Sequence, residues 1–144
     1  MRTYHELIEL PTFLERYRYL RIGGAVGEET FGFDRWLNQV LYRSIEWKRT
    51  RRDVILRDSG MGVAGQVAFD LGCEGYELQD GIIVHHMNPI TRDDIINRRA
   101  IVFDPEFLIT TCSDTHKAIH FGDESLLPVE PVERRPNDTC PWRA

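Results

Sequence analysis

With 144 residues, 42% of them hydrophobic, and a formal net charge of −5, the chain has material for one domain with a buried core. No apolar run approaches the roughly 20 residues that cross a bilayer, and the start Met1-Arg2-Thr3-Tyr4-His5-Glu6 lacks the apolar segment of a signal peptide. A protein that stays inside a cell, without membrane attachment, is expected. The acidic balance argues against indiscriminate nucleic-acid binding, and the scattered Cys73, Cys112 and Cys140 exclude a disulfide framework or a cysteine-rich zinc knuckle.

Residues 1–11 read as a short lead-in. Thr12-Phe13-Leu14-Glu15 has the pattern of a capping box, and predicts a helix through Leu20 with Phe13, Leu14, Tyr17 and Leu20 inward. Residues 23–32 form a glycine-rich link, which is not a phosphate loop because no Gly-Lys-Ser/Thr follows. A second helix is predicted over 34–42, with Trp36, Leu37, Val40 and Leu41 on one face. Ser44 then caps a third, Ile45 to Arg57, with Ile45, Val54 and Ile55 inward. Trp36 and Trp47 read as packing residues. From Arg43 to Arg57 six basic side chains stand against two acidic ones. A local basic face on an acidic body suits phosphate groups.

Residues 58–65 read as a loop, and 66–71 as a short strand or part of the same loop. Tyr76–Gln79, Asp80-Gly81 and Ile82–His85 carry a hairpin signature, an Asp-Gly turn between two β-prone runs. Asn88-Pro89 ends the second strand. Thr91 caps a short helix over 92–97, Asp104-Pro105 turns, and 107–111 is a short apolar run. Ser113 or its neighbour caps a final helix to about His120, closed by Gly122. The tail, with Pro128, Pro131, Pro136 and Pro141, should be extended.

Four of the five histidines fall in two short stretches. His85-His86 sits at a strand end, and His116 and His120, spaced i and i+4, share a helix face. Together they can build a small metal site. Ser44, Trp47-Lys48, Arg51, Val54-Ile55, Arg57-Asp58, His85-His86, Pro89, Asp104-Pro105, Leu108, Cys112 and His116 resemble the HNH endonuclease pattern. Over most of the chain, including 27–34 and 134–143, the sequence is similar to small HNH-type proteins of tailed bacteriophages. The resemblance implies an α+β fold: a ββα-metal (HNH) core at 44–122, an N-terminal helical extension at 1–43 and an extended proline-rich tail at 123–144, in a single domain 1–144.

It further implies a metal-dependent DNA endonuclease working in the cytoplasm of a bacterial host. His86 is the expected general base. His85 and His116 are the expected metal ligands, joined by His120 as in the colicin-type DNases. Lys48, Arg51, Arg52 and Arg57 are expected to hold the DNA backbone. Three imidazoles favour zinc, nickel or manganese over magnesium, which prefers oxygen ligands. Asp104, Asp114 and Asp123 are the candidates to orient the rings. The family's middle Asn falls here on Phe107, so either Asn88 or Asn97 holds the neighbouring loop, or the site is weakened. The alternative is a module that binds DNA or a phage protein without efficient cleavage. A protein partner or homo-oligomer surface fits either reading.

Overall fold

The computed structural model describes residues 1–22, 35–62, 65–78 and 81–128. The described part is an α+β fold of short helices around small antiparallel sheets. Expectations for 23–32, for Asp34 and for the tail beyond 128 lie outside the described residues.

The helices begin where side chains can satisfy their first N–H groups. Helix α1 (Tyr4–Ile8) starts at Thr3, α2 (Phe13–Leu20) at Thr12, and α4 (Ile45–Arg57) at Ser44, each hydroxyl accepting a main-chain N–H. Between them lies α3 (Arg35–Arg43). Helix α5 (Arg92–Ile96) has a reciprocal capping box between Thr91 and Asp94. Helix α6 (Ala100–Phe103) follows. The last, α7 (Ser113–Phe121), is capped by the Cys112 thiol and closed by Gly122 at φ 66°, a left-handed conformation that favours glycine. Helices α1 and α6 occupy stretches the sequence reading left irregular.

Strands β1 (Ser59–Gly62), β2 (Gly65–Phe69) and β3 (Glu77–Leu78) form one sheet in that order; β4 (Ile83–His86) and β5 (Leu108–Thr111) form another. This corrects two expectations. The stretch 58–65 is not a plain loop, because Ser59 pairs with Ala68 and Gly62 with Gly65. Gly60 suits this hairpin because a Cβ there would lie 2.5 Å from the Phe69 ring. Among the described residues, the strands flanking Asp80-Gly81 do not pair with each other. Glu77 and Leu78 pair with Phe69 and Ala68, whereas β4 pairs with β5, Ile83 against Thr111 through His86 against Leu108. The physical reason is burial: β5 is buried at all four positions, while Glu77 is exposed. Strands β4 and β5 share a place between the two apolar clusters, whereas the exposed Glu77 keeps β3 at the rim.

The β4–β5 ribbon separates two apolar clusters. Met87 and Ile109 pack with Leu7, Phe13, Tyr17, Leu20, Ala118 and Ile119, the side of α1, α2 and α7. Val84 and Leu108 pack with Leu37, Leu41, Trp47, Val54 and Val102, the side of α3, α4 and α6. Successive residues of a strand point to opposite faces, so neighbours in sequence join different cores. Trp47 is buried as expected, but Trp36 is 68% exposed and Ile45 67% exposed, so neither packs inward. Leu14 and Val40 are likewise exposed. Arg16 is buried instead, its guanidinium donating to the carbonyls of Leu10 and Leu71 at 2.9 Å each. No helix among the described residues is long and apolar enough to cross a membrane.

Candidate metal centre

His85, His116 and His120 converge, with one ring nitrogen from each lying within 4.8 Å of the others. His85 comes from β4, on the face toward α7, and the other two come from successive turns of α7. Ring centroids are 5.1 Å apart for His85 and His116, 5.2 Å for His85 and His120, and 4.4 Å for His116 and His120. The register of α7 follows from its first turn. The Cys112 thiol accepts the Thr115 N–H, and the Thr115 hydroxyl donates to Asp70 Oδ2 at 2.6 Å. Asp70 is buried, and burial raises its pKa against the opposing bonds from Thr115 and Cys112. The sequence reading missed Asp70 because its partners lie far along the chain.

The donor set fits a cation. His85 is 2% exposed, and its Nε2 is buried without a hydrogen-bond partner. Leaving such an atom unsatisfied costs about 1–3 kcal/mol. Nε2 of His116 and Nε2 of His120 stand 3.0 Å apart, so at most one of them carries a proton between them. A tetrahedral ion about 2.0–2.1 Å from its nitrogen ligands holds those nitrogens about 3.3 Å apart. Burial holds the pKa of His85 well below the usual imidazole range, and the neighbouring His116 and His120 push it the same way. Burial, then His120, lowers His116 to about 4, and burial also lowers His120. All three rings are therefore neutral at pH 7, as ligation requires. His120 is exposed and His116 half-buried, so the cluster is open on one side.

His86 does not join this group. It points to the other face of the ribbon, where its ring stacks on Trp47, centroids 5.0 Å apart and planes 22° apart. Its Nε2 donates to the Val102 carbonyl at 3.1 Å, which leaves the lone pair of the neutral ring on Nδ1. Burial lowers its pKa to about 4, against the raising effect of the Val102 bond.

The basic side chains divide. Lys48, Arg51 and Arg52 are exposed along α4. Arg51 donates to the Ile82 carbonyl at 3.1 Å and Arg52 lies 3.8 Å from Asp53. Arg57 is different. Its guanidinium bonds Asp58 and the carbonyls of Pro105 and Leu108, beneath the Tyr4 ring. The phosphate-contacting role expected of Arg57 does not fit this placement, because its donors are committed inside the fold.

Asn88 is used elsewhere too, accepting the Arg2 N–H at 2.8 Å and donating to the Arg2 carbonyl at 2.9 Å. Arg57 grips the segment around Phe107 through the Pro105 and Leu108 carbonyls, and the Met87 N–H donates to the Phe107 carbonyl at 3.0 Å. Asp104 and Asp123 cap their own short 3₁₀ turns rather than the rings. Comparison with family models, curated proteins and solved structures finds no match to this chain.

Proposed function

We propose that the chain is a metal-dependent DNA endonuclease of the HNH type, encoded by a bacteriophage and acting in the cytoplasm of its host. The observation that carries this reading is the His85, His116 and His120 cluster, with a buried, unpartnered ring nitrogen, on a strand, strand, helix unit whose first strand ends in a further histidine. His85, His116 and His120 hold the ion through neutral imidazoles, a set that favours zinc, nickel or manganese over magnesium. When bound, the ion supplies Lewis-acid stabilisation of charge on a phosphate oxygen.

His86 takes the proton from water. Its Nε2 bond to the Val102 carbonyl fixes the ring. Its low proton affinity rises when an anionic phosphate stands beside it. Lys48, Arg51 and Arg52, on the exposed face of α4, hold the DNA backbone without reading sequence.

The test is cleavage of supercoiled plasmid by purified protein with manganese, nickel, zinc or magnesium added separately, beside His86→Ala and His85→Ala. Nicking by the unaltered chain, lost in both variants, supports the reading. Equal activity in His86→Ala would mean a different base or a contaminant.

One observation favours a second reading, a module that binds DNA or a phage protein without efficient cleavage. The His86 ring lies across the ribbon from the cluster and is stacked on Trp47. DNA retention in a gel shift, with no cleavage under any metal, would select it.

A further inference from the structure

Strand β5 is held from both edges. One edge pairs with β4, Ile109 opposite His85 and Leu108 opposite His86. Among the described residues, no third strand covers the other edge. Leu108 and Thr110, two positions apart, present their main-chain groups to the same side of the strand. There the Leu108 carbonyl accepts Arg57 Nη2 at 2.6 Å, and the Thr110 N–H donates to Asp58 Oδ2 at 3.0 Å. The Thr110 hydroxyl donates to the same oxygen at 2.8 Å. Guanidinium and carboxylate are themselves joined, Nε to Oδ1 at 3.0 Å and Nη2 to Oδ2 at 3.2 Å. The pair thus presents one donor and one acceptor to the strand edge, as a neighbouring strand would. Both bonds are charge-assisted, and Asp58 and Thr110 are buried.

We propose that Arg57 and Asp58 are positioning residues for the three-histidine site: by standing in for a strand on the outer edge of β5 they set where His85 meets α7. The two contacts straddle Ile109, the residue opposite His85. Ile109 is fully buried in the same cluster as Ala118 and Ile119 of α7. A shift of β5 therefore displaces the strand and the helix that carry the ligands relative to each other. Neither residue touches the histidines, so the effect acts through geometry. The inference rests on reading the cluster as a metal site.

The test uses the full chain with Asp58→Asn, Arg57→Lys and Thr110→Val. Leu37→Ala, in the opposite core, serves as a control for general destabilisation. Two readouts are taken: cobalt(II) affinity with its visible spectrum, and ring NMR signals of the metal-free histidines. Asp58→Asn and Arg57→Lys are expected to weaken cobalt binding about 10-fold or more, with an altered spectrum. Leu37→Ala loses thermal stability while keeping affinity and spectrum. Lysine cannot rescue, because one ammonium cannot reach two carbonyls and a carboxylate with a planar fork.

Folded variants that bind cobalt within about twofold of the unaltered chain, with the same spectrum, overturn the proposal. If Asp58→Asn does not fold, Thr110→Val carries the test, since it deletes a single hydroxyl bond. If the unaltered chain takes up no cobalt, the metal reading falls and the NMR arm decides alone. Shifted or broadened His85 signals in Arg57→Lys, absent from Leu37→Ala, support positioning; unchanged His85 signals overturn it.

Discussion

At His85, burial and an unpartnered ring nitrogen act together. Replacing this ring would remove the one candidate ligand from the strand, whereas His120 stands at the exposed rim. His85→Ala is therefore expected to abolish zinc binding measured by calorimetry, and His120→Ala to weaken it without abolishing it. The same burial makes the metal-free protein acid-sensitive. His86 and His116 have pKa values of about 4 in the fold, against 6.5 for a free ring. Below about pH 6.5 the unfolded chain takes up protons that the folded chain refuses. The stability they contribute is full above that pH and is lost as the pH falls toward about 4. Urea midpoints of chelator-treated protein should fall steadily across that window; a flat profile would contradict these assignments.

At the scale of elements, helix ends were readable because their signals are local. Thr12, Ser44 and Thr91 each cap the helix that follows, and Gly122 closes α7 in the conformation glycine favours. Gly122→Ala is accordingly expected to cost about 1 kcal/mol in chemical denaturation, and Gly122→Asn less. Strand pairing was not readable in the same way. Nothing near Ile83–His86 names Leu108–Thr111 as its partner, and the Asp-Gly turn pointed to the wrong one. Trp36 misled for a related reason: helical spacing gives a face, but only tertiary contacts decide which face is buried. The histidine cluster was legible because three imidazoles on a strand and a helix leave few ways to converge. The roles of Arg57 and Asp58 were not, since they depend on main-chain atoms some 50 positions further along.

For the whole molecule, an ion held by the histidine cluster would cross-link β4 and α7. An ion bound only by the folded chain adds about 2.7 kcal/mol when present at about 100 times its dissociation constant. In a chain of 144 residues that should raise the melting temperature by roughly 5–10 °C. Differential scanning calorimetry with zinc and with chelator would show the shift, and His85→Ala should lack it. A shift that persists in His85→Ala would put the ion elsewhere.

The two-stranded ribbon has a further consequence for how such a chain can vary. His85 and His86 are adjacent in sequence, yet each answers to a different core, one built with α7 and the other with α4. Substitutions that repack one side leave the other largely undisturbed. Under the function proposed above, ion capture and proton transfer would be separately inheritable traits, and a descendant could discard one while keeping the other.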